Sequence, residues 1–365
     1  MPASPRPTAG RPAAGRPAAG RPAAGRLKIA IVKLSSLGDV IHALPVARAL
    51  RQALPEAALT WIVEAREQAI LRDHPDLDDV VQVDTRRWRR LLRRPAGVRV
   101  VWREVAAVRR RLRGSFDVAI DLQGLIKSGA LIAATRAPVR IGFAASHCRE
   151  RLSARFTNRR VTPPPAAAHV VDQYLSLLSP LGIAAGTPEF HVPVRSVADR
   201  RMEELLVEHG VKRSDRLVAI NPGAGRADKR WPIARLTVVA ERLATEAGAR
   251  ILLLWGPDEA NLAREIRDGL SARAMLAPPT DLDELAGLLR RAALVVASDT
   301  GPLHLAAALG TPCLGLYGPT RSSRNGPYGV RCRALQSPDG TMAGLEAGAV
   351  FRTALEMLDA GGAAA

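Results

Sequence analysis

The stretch Lys33-Leu34-Ser35-Ser36-Leu37-Gly38-Asp39-Val40-Ile41-His42-Ala43-Leu44-Pro45 decides how the chain is read. Before it lies an apolar run, residues 27–32, with the length and continuity of a buried strand. After it, Val40, Leu44, Ala47 and Leu50/Leu54 recur at three- and four-residue steps, the period of a helix face. The segment is therefore a strand, a tight polar loop and a helix. The loop holds two hydroxyls, a glycine and, at the helix start, the carboxylate of Asp39. In an open α/β sheet, ligands bind in the crevice at the carboxyl ends of the strands. Asp39 thus sits where chemistry is done, although a carboxylate there also suits a helix cap.

Outward from this loop the alternation continues. Further strands are expected at 59–63, 80–83, 118–120 and 139–141, with helices between them, which reads as a parallel sheet covered on both faces. Pro163-Pro164-Pro165 interrupts the pattern, and residues 169–182 read as one helix ending near Pro180 and Gly182. Residues 184–197, with Pro188 and Pro193, have the character of a linker. A second alternation follows. Its strands are expected at 217–220, 251–254, 274–276, 294–297 and 313–316. Its helices are expected at 198–209, from about Pro232, near 258–270, at 281–291 and 302–309, and over 342–358.

The expected fold class is α/β, with two Rossmann-like domains facing each other across a cleft. The first spans 27–183, the second 198–341, and 342–365 form a terminal helix and tail. Residues 1–26 repeat the unit GRPAA, with five arginines and no acid. Proline at every fifth residue forbids a helix and nothing there can fill a core, so a disordered basic tail is expected.

At 365 residues and 47% apolar content, the chain is long enough for two domains with sizeable cores. Cys148, Cys313 and Cys332 show no metal-ligand spacing, and so sparse and odd a set fits a reducing compartment. No run reaches the ~18 apolar residues of a membrane span, and the N-terminus lacks the apolar segment of a secretory signal. The net charge is +18 and the pI about 11.2. From Arg195 onward there are 22 basic and 20 acidic residues, against 31 and 15 before it. The surplus belongs to the N-terminal half and favours an anionic partner: nucleic acid, anionic lipid or an acidic substrate.

Three loops at strand ends of the second half carry candidate chemistry. Asn221-Pro222-Gly223-Ala224-Gly225, followed by Asp228-Lys229-Arg230-Trp231-Pro232, lets backbone N–H groups approach phosphate oxygens and adds cationic charge. It is not a Walker A loop, and a Gly-rich turn before a helix is also common as plain structure. Trp255-Gly256-Pro257-Asp258-Glu259 places carboxylates past a strand end, where they suit ribose hydroxyls or, equally, the next helix cap. Ser298-Asp299-Thr300-Gly301-Pro302-Leu303-His304 opens a helix whose free N–H groups and dipole favour phosphate. His304 by itself reads as a buried, hydrogen-bonded histidine.

In the first half, Asp121-Leu122-Gln123-Gly124-Leu125-Ile126-Lys127-Ser128 again ends a strand and opens a helix. Residues 86–113 hold twelve arginines and one acid, with Trp88 and Trp102 among them, and residues 140–160 hold six arginines and one acid. A solvated helix face accounts for some of these. It does not easily account for Thr85-Arg86-Arg87-Trp88-Arg89-Arg90, where like-charge crowding is destabilising unless an anion neutralises it.

The segments SSLGDVIHALP, DLQGLIKS, DKRWP, WGPDE and SDTGPLHLAAALGTP occur in this order. Together they resemble the ADP-heptose:lipopolysaccharide heptosyltransferases of glycosyltransferase family 9, from about Leu27 to the last helix. The RRWRR run, DLQGLIKS and Arg149-Glu150 further resemble the branch, heptosyltransferase I, that adds the first heptose to the Kdo region of lipid A.

The resemblance implies a GT-B type glycosyltransferase, with acceptor on the N-terminal half and nucleotide sugar on the C-terminal half. It implies an inverting reaction with ADP-heptose as donor substrate and no metal or other cofactor. It makes Asp39 the catalytic base, with Lys33 and Ser36 lining the cleft beside it. It puts Lys229 and the N–H groups at Thr300-Gly301 on the departing diphosphate and Glu259 on the ribose. Gly223, Asp299 and His304 join that nucleotide-sugar site. The anionic acceptor, Kdo-lipid A, falls to Arg86, Arg87, Arg89, Arg90 and Arg149, with Ser36, Gly38, Gln123 and Lys127 on the same side. Such an enzyme works peripherally on the anionic, cytoplasmic face of the inner membrane.

A helix N-terminus keeps a carboxylate's pKa low whereas a base benefits from a raised one, so desolvation on cleft closure is expected to raise that of Asp39. The rival within the family is heptosyltransferase II or another branch with a heptosylated acceptor. From a different class, so basic a chain invites a nucleic-acid-binding protein. Few aromatics punctuate the basic patch, and no RNP, helix-turn-helix or zinc pattern occurs, so no nucleic-acid partner is expected.

Overall fold

The structure, a computed structural model, describes residues 25–184, 186–256, 258–270 and 274–362. The first sheet is built from β1 (Lys28–Val32), β2 (Ala58–Glu64), β3 (Asp79–Val83), β4 (Val118–Asp121), β5 (Val139–Phe143) and β6 (Arg159–Val161). Its helices are α1 (Leu37–Ala53), α2 (Thr85–Leu91), α3 (Pro95–Leu112), α4 (Ile126–Thr135) and α5 (Val170–Ser176). After α6 (Ser196–Glu208), the second sheet takes β7 (Leu217–Asn221), β8 (Arg250–Leu253), β9 (Ala274–Leu276), β10 (Leu294–Ser298), β11 (Cys313–Tyr317) and β12 (Cys332–Gln336). Its helices are α7 (Ile233–Thr245), α8 (Ala260–Asp268), α9 (Leu282–Arg291), α10 (Gly301–Ala308), α11 (Ser322–Asn325) and α12 (Ala347–Gly362).

The strand orders are β3-β2-β1-β4-β5-β6 and β12-β11-β10-β7-β8-β9, with every neighbouring pair parallel. Counted from the first strand of each half, the two orders are the same doubly wound arrangement. The strand order reverses between β1 and β4 in one sheet and between β7 and β10 in the other. Those two switch points are where such sheets bind ligands.

The apolar pattern explains the elements. Ile29, Ala30, Ile31 and Val32 are fully buried, as a central strand covered on both faces requires. The anticipated residues Val40, Leu44, Ala47 and Leu50 of α1 are buried, but so are Ile41, His42, Ala43, Pro45 and Val46. The helix is thus covered nearly all round rather than on one face, and Leu54 falls at its C-cap, half-buried. In the second domain α12 packs Val350, Phe351, Ala354 and Leu358 into the core beside α7 and β10.

Several elements differ from expectation. β6 and β12 were not anticipated. Both are edge strands, and their exposed arginines break the apolar run that marks a strand. The helix expected over 169–182 is α5 followed by a 3-10 turn at Ser179–Leu181. The last helix begins at Ala347, after a separate 3-10 turn at Met342–Gly344. Residues 1–24 of the expected tail lie outside the described residues. Arg26, assigned to that tail, donates to Asp78 at 2.6 Å and to the Ala57 carbonyl at 3.2 Å.

The two halves touch where α1 meets α10. A Cβ at Gly38 would lie 2.5 Å from Cδ2 of His304, and one at Gly301 would lie 2.7 Å from Cδ2 of Leu37. A side chain at either position would force the facing His304 or Leu37 to shift. The connecting segment is pinned at both ends: Glu189 accepts from Arg48 at 2.9 Å, and Arg195 donates to Asp283 at 2.7 Å.

Candidate active site

Between the two switch points lies a cavity of about 590 Å3. Eleven of the anticipated residues line it: Lys33, Ser36, Gly38, Asp39, Gln123, Arg149, Lys229, Asp299, Thr300, Gly301 and His304. The cationic side chains on its wall are Lys33, Arg149, Arg226, Lys229 and Arg324, against the carboxylates of Asp39 and Asp299. The cavity therefore favours an anionic ligand.

On the N-terminal side, Ser36 caps α1 and Asp39 stands at its third helical position. One carboxylate oxygen, Oδ2, accepts from the Ser36 N–H at 3.0 Å and the Ser36 hydroxyl at 2.8 Å. This is the return half of a capping box. The other oxygen, Oδ1, lies 3.6 Å from Lys33 Nζ. Cap and candidate base are thus one residue, its two oxygens doing different work. Lys33 is buried and donates to the Tyr174 hydroxyl at 2.6 Å and the Leu122 carbonyl at 3.3 Å. Burial works against the Lys33 charge, but Tyr174, Asp39 and Asp121 outweigh it and hold its pKa above the ordinary lysine value.

Burial pushes the Asp39 carboxyl up, but Lys33, the Ser36 bonds and His304 outweigh it and hold the group below the ordinary carboxylate value. The direction is that of an ion-paired cap, opposite to the rise expected for a base. The loop itself is braced from β4. Gln123 accepts from the Leu34 N–H at 3.0 Å and donates to the Ser35 carbonyl at 2.9 Å. Buried Asp121 holds the Gln123 turn, accepting from the Gln123 and Gly124 N–H groups and the Ser128 hydroxyl.

On the C-terminal side, Asp299 bridges two groups: Lys229 Nζ at 2.7 Å and His304 Nε2 at 2.9 Å. Burial pushes the Asp299 carboxyl up, but these two partners outweigh it and hold it well below the carboxylate range. Thr300 caps α10, Pro302 fills its first turn, and Thr300 and Gly301, at the end that carries the helix's unpaired N–H groups, line the cavity. Asn221 ties the two switch-point loops together, donating to Thr300 Oγ1 at 3.2 Å and to the Gly223 carbonyl at 3.3 Å.

The remaining anticipated residues lie off the cavity wall. Glu259 accepts from the Gly256 N–H at 3.2 Å and sits against Gly223, where a Cβ would come within 1.9 Å of its carboxylate. Lys127 is ion-paired with buried Glu64 at 3.0 Å. Arg86, Arg87, Arg89 and Arg90 form α2 with Trp88. Part of their crowding is relieved within the chain, because Arg87 pairs with Glu104 and Arg86 lies 4.0 Å from Glu67. Tyr174, Arg226, His147 and Arg324 line the cavity and were not singled out from sequence. Arg226 follows the flagged Gly-rich loop and Arg324 follows the end of β11, so position at a strand end could have found both. Tyr174, inside a helix, carries no local signal. Among the described residues, no group of three or more His, Cys, Asp or Glu is placed to hold a metal ion.

A Rossmann half presenting a carboxylate faces a Rossmann half presenting a helix N-terminus and a lysine, over one cleft rich in cationic side chains. Two doubly wound halves facing each other across a cleft are the GT-B type fold, the one found in nucleotide-sugar-dependent glycosyltransferases. Residues 105–354 match the model of glycosyltransferase family 9 (heptosyltransferase), and the chain belongs to that family. It is 33% identical to lipopolysaccharide heptosyltransferase 1 of Salmonella typhimurium over 89% of this chain and 99% of that protein. It is 34% identical to the Pseudomonas aeruginosa protein of the same name, over 83% of this chain and 82% of that one. The solved structure of Escherichia coli heptosyltransferase WaaC with ADP matches with a TM-score of 0.75 at 30% identity, covering 91% of this chain and 100% of that chain. A family 9 glycosyl transferase from Veillonella parvula shares the fold, with a TM-score of 0.78 at 22% identity over 92% of this chain and 98% of that chain.

Proposed function

We propose that the chain transfers heptose from ADP-heptose, with inversion, to the Kdo of Kdo-lipid A in building the lipopolysaccharide inner core. The observation that carries this reading is Asp39 and the first turn of α10 meeting in one cavity, in a chain 33% and 34% identical to the heptosyltransferase 1 proteins of Salmonella typhimurium and Pseudomonas aeruginosa over most of its length.

In the transfer, a Kdo hydroxyl oxygen bonds to the anomeric carbon as that carbon's bond to the diphosphate oxygen breaks. The hydroxyl proton passes to Asp39, and ADP departs with the bonding electron pair. Ser36 holds Oδ2, so Oδ1 is the oxygen left to take the proton. A low ground-state pKa fits a late proton transfer, because the hydroxyl becomes strongly acidic only as its oxygen bonds to carbon. Lys229, oriented by Asp299, and the N–H groups and dipole of α10 meet the charge growing on the diphosphate. These groups fill the role that a divalent cation has in other sugar transferases, and the reaction is proposed to need none. Arg149 in the cavity and the arginines of α2 receive the anionic acceptor, their planar forks matching carboxylate and phosphate. The enzyme is proposed to work peripherally at the cytoplasmic face of the inner membrane. No helix among the described residues is long and apolar enough to cross a membrane.

The test is transfer from ADP-heptose to Kdo-lipid A and, separately, to heptosyl-Kdo-lipid A, each with and without EDTA. Turnover with the first acceptor, unchanged by EDTA, is expected. Turnover confined to the second would assign the chain to another branch of the family. Loss on chelation, restored by a divalent cation, would overturn the metal-free mechanism.

A further inference from the structure

We infer that the outward face of α3 is a docking surface for an anionic lipid bilayer. The helix has 18 residues, about 27 Å at its standard rise. Its inner side buries Gly97, Val101 and Leu112. Glu104, the acid within it, is taken up by Arg87 and Trp88. The solvent-exposed side is different in kind. Val98 and Trp102, one turn apart, are 48% and 73% exposed. Arg99, Arg103 and Arg110 run along their flank, all exposed, with no carboxylate on that face. At the preceding turn Leu92, 53% exposed, stands beside Arg93 and Arg94.

A large aromatic set in an apolar stripe and flanked by arginine is the pattern of a helix lying in the headgroup plane. Tryptophan partitions to that plane, and anionic headgroups neutralise the arginines. Charge complementarity selects the bilayer, and the apolar stripe selects it over a nucleic acid, which reads a basic groove interleaved with stacking aromatics. The chain leaves β3 at its carboxyl end, on the cleft side, passes through α2 and returns along α3 to the start of β4. The first turns of α3, which hold Val98 and Trp102, therefore lie toward the cleft. The surface rests on the proposed lipid acceptor for its purpose, not for its geometry: docking there would bring the cleft rim to a substrate held in the same bilayer.

The experiment is flotation of the full chain with phosphatidylcholine vesicles, and with vesicles also containing phosphatidylglycerol. Binding to the anionic vesicles alone, weakened by salt, is expected. Arg99→Gln with Arg103→Gln should weaken it on the order of tenfold to thirtyfold, and Trp102→Ala by about tenfold. Brominated lipid should quench fluorescence in the wild type and much less in Trp102→Phe. Turnover of a deacylated, water-soluble Kdo acceptor should be equal in wild type and variants. Failure of the wild type on that acceptor would count against the proposed reaction and leave the vesicle result to decide the docking surface. Equal binding to neutral vesicles, variants that float like wild type, or binding to duplex RNA without vesicle binding would each overturn the inference.

Discussion

Replacing Lys33 with methionine removes the buried cation beside Asp39 while keeping most of the side-chain volume. At 3.6 Å the attraction of two unit charges, with an effective dielectric of ~20, is about 5 kcal/mol before solvent screening. Asp39 is 41% exposed at its side chain, so water screens much of this, and losing Lys33 should lift the carboxyl from its depressed value. The assay is kcat/KM against pH with ADP-heptose and acceptor. The base must be ionised, so the acid limb should move to higher pH, with ADP affinity unchanged. Stability should fall as well. Tyr174 and the Leu122 carbonyl lose a partner, a cost of about 1–3 kcal/mol. A depressed carboxyl contributes stability above its unfolded pKa and loses it as pH falls through the folded value. Lifting the folded value toward the unfolded one therefore removes that contribution at neutral pH. An acid limb that stays in place, in a folded variant that still binds ADP, would refute the coupling of Lys33 to Asp39.

Asp39→Asn should lose about a hundredfold to ten-thousandfold in turnover while binding ADP normally; turnover within tenfold of wild type would remove Asp39 as the base. Gly223→Ala would drive a Cβ into the Glu259 carboxylate, and calorimetry should show ADP affinity down by about tenfold or more. Unchanged affinity would separate Glu259 from nucleotide binding. Arg86→Ala with Arg89→Ala should raise the acceptor KM and flatten its salt dependence, leaving ADP affinity alone; lost ADP binding would put the acceptor elsewhere.

The fold was legible wherever local sequence carries it. Continuous apolar runs marked the central strands, and three- to four-residue steps marked the helices packed on them. Strands β6 and β12 were hidden because an edge strand is half solvated and its composition is unremarkable. The loops that carry the site were legible for a related reason: in a doubly wound sheet, strand ends and function coincide. What the sequence could not reveal was partnership. Lys33 and Tyr174 meet across 141 positions, and Arg87 finds Glu104 across a turn between two helices. The double duty of Asp39, cap with one oxygen and cleft-facing with the other, likewise depends on atoms rather than residue types. The environment of its carboxyl is set by such partners, which is why its pKa moves opposite to the expected direction.

The seam where Gly38 and Gly301 each admit the other half's side chain has a consequence for how specificity can change. The groups proposed to recognise the acceptor stand on one side of it and those proposed to recognise the nucleotide on the other. Exchange of a whole half between family members would then carry one preference across without disturbing the other. The join would have to preserve four mutually fitted positions: Leu37, Gly38, Gly301 and His304.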